Sequence, residues 1–225
     1  MSNLIAHRAL DDSKYKENTK DAIIAALNKS YIKGIEIDVR ITKDNKIVLI
    51  HDSIINRTSN GSGIVEAMTL KKLGKYNFGT KDNPCKISTL KEMLKILPND
   101  KIVLIEIKCH SEEDRFIDCF YDTIKNFLDK QLYIMSFNES IMKKLKDLYP
   151  NLRCGLLISK LINNKYLNDD FDFAAISSYD VSKLKHYKKP IFVWALSNRK
   201  KYKELVKKMP NSTLYIVDYP KKYIS

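Results

Sequence analysis

Apolar runs rich in Ile, Val and Leu recur at positions 4–7, 35–39, 102–107, 132–137, 154–158, 173–177, 191–196 and 214–218. Runs this short and this continuous suit strands of a parallel sheet covered on both faces, where neither side meets water. Between them the period lengthens to that of a helix. Ala22, Ile23, Ala26 and Leu27 share one face, and Leu90, Met93, Leu94 and Leu97 follow a Thr89-x-x-Glu92 capping box. The clearest amphipathic helix carries Phe116, Ile117, Phe120, Tyr121, Ile124, Phe127 and Leu128. Two more stripes follow, Ile141, Met142, Leu145 and Leu148, then Tyr202, Leu205, Val206 and Met209.

Eight strands alternating with helices is the count of an α/β TIM (β/α)8 barrel. One interval departs from the alternation. A further apolar run at 47–50 follows the second strand after only Thr42-Lys43-Asp44-Asn45-Lys46, which leaves no room for a crossover helix. The two runs are therefore expected to pair antiparallel. With Asp44-Asn45 as a two-residue turn, Lys43 pairs with Lys46 and His51 falls opposite Asp38. Residues 52–88, with Asn60-Gly61-Ser62-Gly63 and Gly79, read as a small insertion after the second strand. The chain from 1 to 225 is thus expected to be one barrel domain with 52–88 inserted in it, and its helices must be short. A doubly wound open sheet is the alternative, because counting strands does not establish closure.

Composition removes several classes. The chain has 225 residues, 44% hydrophobic and 30% charged, as expected of a globular protein rather than a disordered or fibrous one. No apolar run reaches the ~18–20 residues of a membrane span. The apolar stretch 4–6 runs directly into His7 and Arg8, unlike a secretory signal. Cys85, Cys109, Cys119 and Cys154 lack CxxC spacing and read as reduced thiols of a cytoplasmic protein. The net charge of +13 comes mainly from lysine, since only six of the 40 basic residues are Arg. Arg is the residue that reads bases and phosphates bidentately, so nucleic acid is not the expected partner. The Tyr- and Lys-rich tail at 215–223 offers a peripheral membrane contact as an alternative to a solvated terminus. No Walker loop and no GxGxxG is present, which argues against nucleotide and dinucleotide chemistry.

Barrel enzymes gather reactive groups at the C-terminal ends of their strands. Those ends carry His7-Arg8, Glu36-Ile37-Asp38 and Glu106-Ile107-Lys108. Residues two apart on a strand point the same way, so Glu36 pairs with Asp38 and Glu106 with Lys108. Like charges buried together need a cation, and three carboxylates without Cys or clustered His favour one hard divalent ion, Ca2+ or Mg2+. The hairpin returns His51 to the rim that carries His7. Two imidazoles that titrate near neutrality, with Arg8 and Lys108, describe a site for acid/base chemistry on a phosphoryl group.

At these residues the chain resembles the glycerophosphodiester phosphodiesterase family. The match runs through Ile5-Ala6-His7-Arg8, Glu17-Asn18-Thr19, Gly34-Ile35-Glu36-Ile37-Asp38-Val39, Thr42-Lys43-Asp44 and Val48-Leu49-Ile50-His51-Asp52. It continues through the segment from Asn56 to Gly63, Ile87-Ser88-Thr89-Leu90, Glu106-Ile107-Lys108, Trp194 and Asp218-Tyr219-Pro220. The resemblance implies a phosphodiesterase-type TIM barrel that hydrolyses a glycerophosphodiester to glycerol 3-phosphate and an alcohol. It implies metal ligation by Glu36, Asp38 and Glu106, His7 and His51 as the acid/base pair, and substrate contacts from Arg8, Lys108 and Trp194. Four departures stand out: Ala9 where the family has Gly, Lys16 in place of Pro, Val217 in place of Thr, and Ala195-Leu196-Ser197 after Trp194. A turn needing positive φ at Ala9 would be strained and would displace Arg8. A catalytically degenerate barrel that binds phosphodiesters or lipids without turnover, and less so a basic nucleic-acid binder, are the competing readings.

Overall fold

The computed structural model describes residues 3–11, 14–109, 111–160, 170–196 and 198–224. Among the described residues nine strands form: β1 (Leu4–Ala6), β2 (Ile32–Ile41), β3 (Ile47–Leu49), β4 (Ile102–Ile107), β5 (Gln131–Ser136), β6 (Cys154–Ile158), β7 (Phe173–Ser177), β8 (Ile191–Trp194) and β9 (Leu214–Val217). Eight of them run parallel in the order β1-β2-β4-β5-β6-β7-β8-β9, and β9 pairs back onto β1. The sheet is therefore a closed barrel, and the open doubly wound alternative is excluded. The helices are α1 (Lys20–Leu27), α2 (Leu70–Leu73), α3 (Leu90–Ile96), α4 (Glu113–Ile124), α5 (Glu139–Leu148), α6 (Arg199–Lys208) and α7 (Lys221–Ile224). The Thr89–Glu92 capping box forms at the start of α3 as its sequence requires. Between β7 and β8 the chain spends only a short 3-10 turn, Val181–Leu184.

Period-2 alternation sorts the strand residues into two cores. Outward residues such as Ile35, Ile37, Val103, Ile105 and Val217 pack with Phe116, Ile117, Phe120, Ile141 and Leu145 of the helices. Inward residues, among them Ile5, Leu104, Met135, Leu157, Phe192 and Ile216, fill the barrel. Two glycines permit this filling. A Cβ on Gly34 would lie 2.2 Å from the Ile102 carbonyl oxygen, and one on Gly155 would lie 2.5 Å from the Phe173 ring. Among the described residues, no helix is long and apolar enough to cross a membrane.

The hairpin differs from its expected register by one residue. Val39 pairs with Leu49, Arg40 with Val48 and Ile41 with Ile47, and the Thr42 N–H donates to the Lys46 carbonyl. The loop has three residues rather than two. Asn45 sits at φ 60°, in the left-handed region that Asn tolerates, so one residue absorbs the reversal. The Thr42 hydroxyl seals the loop, accepting from Lys46 N and donating to Asp44 Oδ1. Ile50 rather than His51 therefore faces Asp38, with Ile50 N donating to the Asp38 carbonyl at 3.0 Å. His51 is the next residue, just past the end of the ladder. Beyond it the chain builds a separate apolar cluster from Val48, Ile50, Ile55, Val65, Met68, Leu73, Phe78 and Ile87.

Candidate active site

Asp38 and Glu106 occupy paired positions on β2 and β4, and Glu36 sits one inward position earlier on β2. All three are buried, and they offer oxygens that lie within 4.8 Å of one another. Part of each carboxylate is held by the protein. Glu36 Oε2 accepts from the Arg8 N–H at 2.8 Å, and Asp38 Oδ2 accepts from Asn18 Nδ2 at 2.9 Å. Glu36 Oε1 and Asp38 Oδ1 are buried without a hydrogen-bond donor, and Glu106 Oε1 lies 2.5 Å from Lys108 Nζ. Burial first, and then the charge of Asp38, pushes Glu36 up to about 8 and Glu106 up to about 7. Hard oxygen donors with free lone pairs, converging where charge is costly, fit a divalent cation.

The two imidazoles stand at this cluster, each with its Nδ1 committed to a carboxylate. His7 follows β1 directly; its Nδ1 donates to Asp218 Oδ1 at 2.8 Å, while Nε2 lies 3.8 Å from Glu36 Oε2. His51 Nδ1 donates to Asp52 Oδ1 at 2.7 Å. Such bonds fix the ring and leave Nε2 for chemistry. The surroundings push the rings in opposite directions. Burial acts to lower the His7 pKa, but the Asp218 hydrogen bond and the Glu36 charge overcome it and raise it. Burial lowers His51, and Lys108 and Arg8 act with it against the pull of Asp38 and Asp52. Asp52 is also bound by Arg57 at 2.6 and 3.0 Å, and these bonds with that from His51 hold it far below the usual carboxylate range.

Arg57 extends this contact to the other half of the site. Its guanidinium also donates twice to Glu17 at 2.8 Å, and Glu17 Oε1 in turn accepts from Arg8 Nη1 at 3.1 Å. Arg8 Nε faces Asp38 at 3.5 Å. A continuous line of charges thus runs from His51 through Asp52, Arg57 and Glu17 to Arg8. Asn18, at φ 57°, braces the same corner: its amide brackets Asp38, and its backbone N–H donates to the Arg8 carbonyl. Glu17, Asn18, Asp52, Arg57 and Asp218 all lie in motif runs legible in the sequence, yet their spacing alone points to no role. Their partners are supplied by tertiary contacts, and only position within the motifs marks them.

Seven of the eight expected site residues border one open cavity of about 180 Å³. His7, Arg8, Glu36, His51, Glu106 and Lys108 form its polar side, and Trp194, Phe137, Met135, Leu157 and Ile216 form an apolar wall. The eighth, Asp38, is fully buried in the cluster with Glu36 and Glu106. Trp194 is pinned by donating to the Ala175 carbonyl and by edge-to-face contact with Phe137 at 5.5 Å. A larger groove of about 730 Å³ between α1, α2 and α3 contains none of these groups. Ala9 does adopt φ 58°, as a turn built for glycine demands, but Arg8 is not displaced. Val217 packs in the outer core and does not line the cavity. Lys16 ties the loop to the segment after β3 through the Thr58 carbonyl, and Ser197 lies outside the described residues.

Comparison with known proteins gives one consistent family. The family model of the glycerophosphoryl diester phosphodiesterase family matches residues 7–219. A glycerophosphodiester phosphodiesterase of Caldanaerobacter subterraneus is 34% identical over 165 residues, covering 68% of this chain and 65% of that protein. YhdW of Bacillus subtilis, which bears the same activity as a provisional name, is 30% identical over 222 residues, 88% of this chain and 87% of its own. Among solved structures, an Oleispira antarctica phosphodiesterase in complex with the product sn-glycerol-3-phosphate superposes with a TM-score of 0.86 at 23% identity. That match covers 99% of this chain and 95% of the other. The glycerophosphodiester phosphodiesterase of Thermotoga maritima superposes at 0.80 with 24% identity, over 100% and 97%. The solved structures share the fold, the family model spans nearly the whole chain, and this chain is therefore an enzyme that belongs to the glycerophosphoryl diester phosphodiesterase family.

Proposed function

We propose that this enzyme hydrolyses glycerophosphodiesters to glycerol 3-phosphate and an alcohol, with one divalent cation, Ca2+ or Mg2+, and with His7 and His51 as the acid/base pair. The observation that carries the reading is a pair of aspartate-held imidazoles beside three buried carboxylates, of which Glu36 Oε1 and Asp38 Oδ1 have no hydrogen-bond donor. Glu36, Asp38 and Glu106 would hold the cation, which when bound supplies positive charge to the phosphate and to a glycerol hydroxyl.

A phosphodiester resists hydrolysis because its charge repels nucleophiles and its alkoxide leaves poorly. Arg8 and Lys108 bring positive potential to the phosphoryl oxygens, and this counts most as charge builds on them. His51, whose pKa is lowered, is the base that takes the proton from the attacking oxygen. His7, whose pKa is raised, is the acid that delivers a proton to the departing alkoxide. Each transfer contributes about 10²–10⁴-fold. Trp194 and Phe137 orient the carbon skeleton against the apolar wall. We place the activity in one barrel domain, 1–225, with 52–88 inserted. The four free cysteines support a reducing, cytoplasmic setting.

Release of glycerol 3-phosphate from a glycerophosphodiester tests the reading. EDTA is expected to abolish release, and Ca2+ or Mg2+ to restore it. Full turnover in excess chelator would remove the cation from the proposal, and no turnover under any metal would remove the activity.

A further inference from the structure

Inward positions on β2 continue past Glu36 and Asp38 to Arg40. Arg40 is only 4% exposed, yet its guanidinium does not spend its short contacts on a carboxylate. Nε donates to the His51 carbonyl and Nη1 to the Lys108 carbonyl, both at 2.9 Å. Glu66, from the insertion, is 3.9 Å away. The backbone explains why this bridge is needed. The Ile50 N–H to the Asp38 carbonyl joins β2 to the hairpin strand, and the Lys108 N–H to the Val39 carbonyl joins β2 to β4. After Ile50 the hairpin strand leaves β2, and after Ile107 β4 leaves it, just where His51 and Lys108 must be aimed. One planar side chain then does what the ladder no longer does.

We propose that Arg40 is a positioning residue for the hydrolysis: by clasping the carbonyls of His51 and Lys108 it sets the separation between the base and the phosphate-binding ammonium. This rests on the role given above to His51. A forked guanidinium reaches two carbonyls at once, whereas an ammonium on the same stem is a single point, so lysine is no substitute here. Side chains misplaced by about 1 Å are costly, on the order of 10²-fold in rate.

The test compares wild type, R40K, R40A and H7A, each checked by circular dichroism. Two substrates are used: a glycerophosphodiester with an ordinary alkoxide leaving group, and one releasing p-nitrophenolate, which needs no proton. R40K and R40A are expected to lose about 10- to 100-fold in kcat, with KM within about threefold. Their loss persists on the nitrophenyl substrate because it lies on the attacking side, while the H7A loss is largely relieved. Millimolar guanidinium is expected to restore part of the R40A activity and leave wild type unchanged. In 15N-labelled protein, the His51 ring resonances shift or broaden in R40K while those of His7 hold. A folded R40K within twofold of wild type overturns the proposal, and so does a loss that disappears with p-nitrophenolate. Unmoved His51 resonances overturn it whether or not the protein turns over, and an inactive wild type with His51 perturbed faults the assigned activity alone.

Discussion

His7 Nδ1 and Asp218 Oδ1 meet at 2.8 Å although 211 positions separate them in the chain. The contact exists because β1 and β9 are parallel neighbours, with Ala6 opposite Val217, so closing the barrel hands the first histidine its carboxylate. The bond stabilises the imidazolium, raising His7 and lowering Asp218.

Replacing that carboxylate tests the role of His7. If His7 is the acid, the alkaline limb of kcat/KM marks loss of its proton, and Asp218→Asn moves that limb to lower pH. A fall of about tenfold in kcat should accompany it. An alkaline limb that stays in place would assign it to another group.

If His51 is the base, it carries the complementary limb. Its lowered pKa then places the acidic limb below the ordinary imidazole value of about 6.5, and the expected profile is bell-shaped. His51→Ala should fold normally and lose about 10²–10⁴-fold in turnover. A flat profile from about pH 5.5 to 9 would remove the paired acid and base.

The buried carboxylates make metal-free stability depend on pH. Glu36 and Glu106 titrate near 8 and 7 in the folded chain against 4.5 unfolded. Between those values the folded state binds protons that the unfolded state has released, so stability falls as pH rises. Their contribution is full below about pH 4.5 and lost through about pH 7–8. Thermal scans in EDTA should therefore show Tm declining over that range. Ca2+ or Mg2+ at pH 9 should raise it again, since a ligand of the native state stabilises it. Glu36→Gln should raise the metal-free Tm at pH 9 by several degrees, at about 2–4 °C per kcal/mol, while abolishing turnover.

Ala9 separates a working enzyme from a degenerate one. Its left-handed φ costs about 1–2 kcal/mol, but glycine would forfeit a buried methyl of about 0.8 kcal/mol and add unfolded-chain entropy. Ala9→Gly should thus sit within about 1 kcal/mol of wild type, with kcat changed less than about twofold, because Arg8 is already in place. A tenfold gain in kcat would identify Ala9 as a catalytic lesion.

Much of the site could be read from local pattern. Glu36, Asp38, Glu106 and Lys108 converge because they lie two apart near the ends of neighbouring strands, and period-2 alternation is a property of the strand itself. The hairpin register was not readable in this way. A two-residue I′ turn at Asp44-Asn45 and a three-residue loop ending on Asn45 both put Asn45 at positive φ, so that residue does not choose between them. His51 nonetheless reaches the cavity, since the one-residue slip places it past the ladder, where Arg40 takes over its backbone.

What the sequence by itself determined is the set of strands, the longer helices α1, α3, α4, α5 and α6, and the face their side chains take, because these follow from spacing along a few consecutive residues. Tertiary structure alone decided that the sheet closes, that Asp218 serves His7, and that Arg57 links the His51 side of the site to Arg8. Those contacts join residues tens to hundreds of positions apart. They depend on the pairing of β9 with β1 and on the way the insertion folds back, which no local periodicity encodes.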